Sequence, residues 1–190
     1  MTTNETAIGT KALWGQVELR QKHAVKWLTL SAMFMAMNIA VCTFSIPVPG
    51  GHLYLCDTVI CIAAILLDPF GAFLVGGVGA FLGDMLFYPA PMFVSLVTHG
   101  LQALVISLIV HRSATTKNKL FWRALIATII GGIIMVIGYT LGKIYVYSTY
   151  ADAILKLPFE IAQAVLGIVG SLLLCFKGGL LSLFKKLEED

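Results

Sequence analysis

The stretch Asp68-Pro-Phe-Gly-Ala-Phe-Leu-Val-Gly76-Gly-Val-Gly-Ala-Phe-Leu-Gly83-Asp84-Met-Leu-Phe-Tyr88-Pro-Ala-Pro91-Met-Phe-Val-Ser95-Leu-Val-Thr-His99-Gly-Leu-Gln102 decides how this chain is read. Prolines at 89 and 91 cannot both sit in a helix interior, so they make a corner between two helix-length apolar runs, the second reaching Arg112. In the first run Ala72, Gly76, Ala80 and Asp84 recur every fourth residue, which puts three small side chains and one carboxylate on a single helical stripe. In the second, Ser95, His99 and Gln102 share a face by the same rule. Polar groups set in hydrocarbon-grade sequence cost several kcal/mol if unpaired, so each of them marks a candidate site.

Composition sets the class. Of 190 residues, 58% are hydrophobic and 12% charged, and the mean hydropathy is +0.90, too few charges to coat a soluble globule. An all-α membrane protein of six transmembrane helices is expected. The formal net charge of +3 is small, and no nucleic-acid partner is expected. Cys42, Cys56, Cys61 and Cys175 form no CxxC pair and match no zinc spacing; they read as small apolar filler, with no metal site expected.

Three segments follow from the pattern: a cytoplasmic N-terminal segment, 1–26; a membrane domain, 27–176; and a cytoplasmic tail, 177–190. The first has no signal-peptide core, and its Trp14, Val17 and Leu19 suit a short helix on the membrane surface. The spans run from about 27 to 46, 55 to 67, 70 to 88, 92 to 110, 120 to 146 and 158 to 176, against the roughly 20 residues that cross a bilayer. The second is short and must either tilt little or be completed by buried neighbours. Ahead of it, Pro47-Val-Pro-Gly-Gly-His52-Leu-Tyr54-Leu-Cys56-Asp57 is expected to be a structured loop. Lys and Arg gather in the N-terminal segment (Lys11, Arg20, Lys22, Lys26), after the fourth span (Arg112, Lys117, Lys119, Arg123) and in the tail (Lys177, Lys185, Lys186). Only Lys143 and Lys156 lie near the opposite side, so the positive-inside rule puts both termini in the cytoplasm of a multi-pass cell-membrane protein.

That topology collects the polar groups toward the outer face. Asp84 lies one turn below the Pro89 corner and His99 about two turns below Met92. Asp84 either contacts a ligand or caps neighbouring backbone; His99, with Ser95 and Gln102 on its stripe, either contacts a ligand or bonds between helices. Tyr139, Lys143 and Tyr147 recur every fourth residue on the fifth span with Tyr145 nearby, as ligand walls or interfacial anchors. Glu160 and Gln163 share a face of the sixth, Glu160 as ligand contact or a favourable first-turn carboxylate, and Asn38 stands on the first, as ligand contact or interhelical bond. With His52, Tyr54 and Asp57 these form the expected substrate site. Its mixture of flat aromatic surface and a few donors and acceptors, with every Arg on the cytoplasmic side, suits a small, flat, largely uncharged heterocycle. On the first span Ala32, Ala36 and Ala40 recur every fourth residue, as internal packing or as a docking ridge for another subunit.

No catalytic residue is expected: the chain has no nucleophile elbow, HExxH, paired magnesium-binding carboxylates or P-loop. Nor does it show the acidic relay of an ion-coupled pump. It holds a solute without an energy source of its own.

The loop with His52 and Asp57, the Gly-Ala-rich helix ending in Gly83-Asp84, and the His99-Gly100-Leu101-Gln102 helix together resemble the S components of energy-coupling factor (ECF) vitamin transporters. Within them the chain is most similar to the riboflavin-type superfamily branch that includes the hydroxymethylpyrimidine and pyridoxine proteins. The likeness runs from about Leu28 to Phe176, and Ala32-x-x-x-Ala36 matches the family's first-helix motif. Where many relatives carry Lys and Glu around the fourth-helix Gly, this chain has His99 and Gln102. The resemblance implies a substrate-binding subunit that captures a vitamin at the outer face and topples in the bilayer. Its partners would be a transmembrane scaffold, the T component, and two cytoplasmic ATPases that hold the ATP and Mg, with no cofactor in this chain. The competing classes are a self-sufficient carrier or channel and a membrane enzyme.

Overall fold

In a computed structural model, which describes residues 24–112 and 117–189, a short helix forms the axis of the bundle. This helix, α2 (Cys56–Leu66), buries every residue except Thr58. Its 11 residues rise only about 16 Å, well short of the ~30 Å of hydrocarbon, which is tolerable because no lipid touches it. Around it stand five helices long and apolar enough to cross a membrane. They are α1 (Ala24–Cys42), α3 (Pro69–Phe87), α4 (Met92–Val110), α5 (Lys117–Gly142, continued by a π-helical turn Lys143–Tyr147) and α6 (Tyr150–Leu172, continued by a π-helical turn Leu173–Lys177). The protein is an all-α membrane bundle. The expected loop between α1 and α2 folds as a small antiparallel hairpin, β1 (Ile46–Val48) and β2 (Gly51–Leu53), with Pro47 opposite His52.

Small residues set how closely the helices approach. Helix α3 starts at an N-cap, where Asp68 accepts from the Gly71 amide at 3.3 Å, and loosens into a π-helical turn at Leu74–Val78. The glycines in and just after that turn meet neighbours on two sides. A Cβ on Gly76 would come within 2.7 Å of both the Ala103 Cβ and the His99 carbonyl of α4, while one on Gly79 would lie 2.9 Å from Asn38 Nδ2 of α1. Asn38 in turn donates to the Val75 carbonyl at 2.8 Å, a bond between α1 and the π-helical turn. Helix α3 is therefore wedged between α1 and α4 with almost no side-chain padding.

The sixth span departs from expectation. The segment 147–157, read from Pro158 as a loop, is mostly helix: α6 begins at Tyr150 and carries Pro158 within it. Thr149 caps that start by accepting from the Asp152 amide at 3.2 Å, and Lys156 pairs with Glu160 across the proline at 3.0 Å. A capped first turn and an i,i+4 pair support the helix on either side of the proline, and the burial of Ala153, Lys156 and Glu160 holds both halves in the bundle. Past Gly179, whose φ of 75° turns the chain, residues of the tail form α7 (Leu180–Glu189) and bury Phe184 in the main core. Trp14, Val17 and Leu19 lie outside the described residues.

Candidate functional site

A layer of buried polar groups crosses the end of the bundle that carries the hairpin. Its node is Asp57, in the first turn of α2, where a carboxylate is favoured by the helix dipole. Asp57 Oδ1 accepts from Gln102 Nε2 of α4 at 3.0 Å, and Oδ2 from Gln163 Nε2 of α6 at 2.5 Å. Gln102 Oε1 is 2.7 Å from His99 Nδ1, and Gln163 Oε1 accepts the Tyr54 backbone N–H at 3.0 Å. Asp57, Gln102, His99 and Gln163 are each at most 4% exposed, so three helices and the segment just after the hairpin are tied through one carboxylate.

A second chain of bonds starts at Tyr139 on α5. Its ring meets the His99 ring edge-on at 5.1 Å, and its hydroxyl lies 2.5 Å from Ser95 Oγ, which also donates to Asp84. Asp84 and His99 thus reach the same tyrosine from α3 and α4. Above them, His52 of β2 packs edge-on against Tyr88 at 5.4 Å and beside Tyr54 at 6.2 Å. Burial pushes the Tyr54 phenol above its ordinary value, with the Asp84 charge adding to the shift, so its hydroxyl stays a donor at neutral pH.

Two lysines complete the layer, and both are buried, Lys143 at 3% and Lys156 at 6% exposure. Lys143 Nζ donates to the Gly50 carbonyl in the hairpin turn at 2.6 Å, and Lys156 stands 5.7 Å over the Tyr139 ring while pairing with Glu160. The turn can sit this low because Gly50 has a φ of 78° and no side chain: a Cβ there would lie 2.7 Å from the Asp152 carbonyl. Glu160 Oε2 finds no hydrogen-bond partner among the described residues.

The structure therefore gathers His52, Tyr54, Asp57, Asp84, Ser95, His99, Gln102, Tyr139, Lys143, Glu160 and Gln163 at one end. Asn38, fully buried, is engaged separately with α3. Tyr145, expected as a wall of the pocket, is 79% exposed, whereas Tyr147, on the stripe with Tyr139 and Lys143, has its ring centroid 5.2 Å from Lys143 Nζ. Lys156 and Tyr88 are additional members. The first could have been found from its i,i+4 spacing to Glu160; the second has no signal along the chain, since only the hairpin's fold brings His52 to it. Cys56 Sγ, an Asp57 oxygen and a His99 nitrogen lie within 4.8 Å of one another, a grouping that spacing along the chain does not announce; the last two are engaged by the glutamines. On α1, Ala32, Ala36 and Ala40 are exposed, whereas Phe34, Asn38 and Cys42 face inward.

Two comparisons bear on what this layer serves. The sequence profile of a family described as ECF-type riboflavin transporter, S component, matches residues 22–178. A protein from Pyrococcus woesei, described only as an uncharacterized protein in a gap 3' region, is 32% identical over 136 residues, covering 70% of this chain and 88% of its own.

Proposed function

The chain belongs to the family of S components of ECF-type riboflavin transporters, and from that membership we propose that its polar layer captures a small flat heterocycle of the pyridoxine or hydroxymethylpyrimidine kind. It is a substrate-binding subunit of a vitamin transporter, not an enzyme. The observation that carries the choice of ligand is the layer's make-up: several fixed donors and acceptors around Asp57 and His99 beside the Tyr139 ring, with no Arg among them. Flat aromatic area with a few oriented polar groups selects a small heterocycle, whereas a free dicarboxylate would call for a bidentate guanidinium. Riboflavin, for which the family is named, is larger, and it enters the test as a competitor.

In this reading the hairpin end faces outward and both termini face the cytoplasm. The burial of Lys143 and Lys156 supports that orientation, since among the described residues it leaves the hairpin end without the exposed cations that mark a cytoplasmic face. The exposed ridge of Ala32, Ala36 and Ala40 docks on the T component, two cytoplasmic ATPases bind ATP and Mg and hydrolyse the nucleotide, and this chain needs no cofactor. Binding of pyridoxine, hydroxymethylpyrimidine, riboflavin and a dicarboxylate to the detergent-purified chain, with native mass spectrometry for any co-purifying vitamin, tests the reading. Micromolar or tighter binding of one of the first two is expected. Preference for riboflavin or the dicarboxylate would overturn the ligand class.

A further inference from the structure

The hydrogen bonds around Asp57 run in a direction fixed from one end. Tyr54 offers Gln163 Oε1 a backbone N–H, which can only donate, at 3.0 Å. Gln163 must therefore keep its oxygen toward the hairpin and its amide nitrogen toward Asp57 Oδ2. A carboxylate only accepts, so Asp57 Oδ1 takes Gln102 Nε2, and Gln102 is left with its oxygen 2.7 Å from His99 Nδ1. Two acceptors cannot face each other at that distance, so Nδ1 carries the hydrogen. The same nitrogen lies 3.8 Å from Asp57 Oδ1, where an N–H is also favoured. A neutral His99 then holds its lone pair on Nε2.

We infer that His99 Nε2 takes a hydrogen from an amino or hydroxyl group of the ligand, and that Asp57 is a positioning residue which sets this polarity through Gln102 without touching the ligand. The first half rests on the vitamin-binding reading above; the relay is a property of the free chain. A ligand that offers only a lone pair at that position, such as a methoxy group, meets the lone pair of Nε2 and is rejected.

The relay has a distinctive response to Asp57→Asn. Gln163 stays pinned by the Tyr54 backbone, so its amide nitrogen takes the oxygen of the new side chain. The new amide nitrogen then faces Gln102, which must turn its own oxygen toward it and present Nε2 to His99 Nδ1. The proton moves to His99 Nε2, and an acceptor becomes a donor. A residue that merely packs would weaken binding when changed; this one should reverse a preference.

The test begins without ligand, by 15N NMR of histidine-labelled, detergent-purified chain, with His99→Gln to assign the signal. The expected result is Nδ1–H in the unsubstituted protein and Nε2–H in Asp57→Asn. Nε2–H in the unsubstituted protein, or one tautomer in both, would overturn the inference, and the first of these needs no variant that folds. In a second arm, hydroxymethylpyrimidine bearing its exocyclic amino group is compared with the counterpart in which methoxy replaces that group. The unsubstituted protein should favour the amino compound about tenfold, the value of one neutral hydrogen bond, and Asp57→Asn should favour the methoxy compound. An unchanged preference overturns the assignment of His99. Should neither pyrimidine bind while both tautomers are as expected, the proposed ligand class falls and the relay stands.

Discussion

Asp84 and His99 differ in what their removal leaves behind. Ser95 donates to Asp84, and an asparagine there still offers an oxygen to accept that bond, so Asp84→Asn removes charge and leaves the Tyr139–Ser95 chain in place. His99→Ala instead deletes a ring that touches Tyr139 and leaves Gln102 Oε1 without its partner. Losing a charge-assisted hydrogen bond in a desolvated pocket costs about 1.5–3 kcal/mol, so Asp84→Asn is expected to weaken ligand binding roughly tenfold to a hundredfold, and His99→Ala, which removes a neutral bond, about tenfold. Titration calorimetry on the purified variants checks this. Unchanged affinity in both would place the ligand elsewhere.

Among the elements, α1 is the least buried span, with 28% of its apolar window inside the bundle against 50% for α3 and α4. Its inward face carries Phe34, Asn38 and Cys42, and its alanines point away from the protein. Small side chains on an exposed helical face allow another helix to approach closely, and lipid has no use for that closeness. An indole at position 36 would project from this face without entering the bundle. Ala36→Trp is therefore expected to abolish uptake in cells that carry the scaffold and ATPases, while the isolated chain binds its ligand as before. Uptake that survives the substitution would mean that the ridge faces lipid alone.

Across the whole molecule, the polar layer and the basic start of α5, with Lys117, Lys119 and Arg123, lie at opposite ends of the bundle, so the orientation of one fixes the other. Single cysteines placed at His52 or Tyr150 should react with an impermeant maleimide in intact cells, and one at Lys119 only after the membrane is opened. Labelling of the Lys119 position in intact cells would turn the site to the cytoplasm.

Membrane class, the number of apolar segments and the polar stripe of Ser95, His99 and Gln102 were legible in the sequence because each depends on hydropathy or on the helical period, which are local. That the second span is short is legible for the same reason, and of the two ways to accommodate it, little tilt or buried neighbours, the structure shows the second. What local pattern could not supply was the partner of each polar group. Asp57 is two residues from Leu55 in the chain, yet it meets Gln102 and Gln163 at separations of 45 and 106 residues. Lys156 was hidden behind a proline that, taken alone, signals a break, and it became part of the site only because a capped first turn carried the helix through. Tyr145 turns outward because its place, six residues after Tyr139, puts it off the stripe that Tyr139, Lys143 and Tyr147 share, as the helical period alone implies. The sequence thus determined which groups are buried in a membrane; the tertiary structure alone decided which of them face one another, because a hydrogen bond's direction is settled by both of its ends.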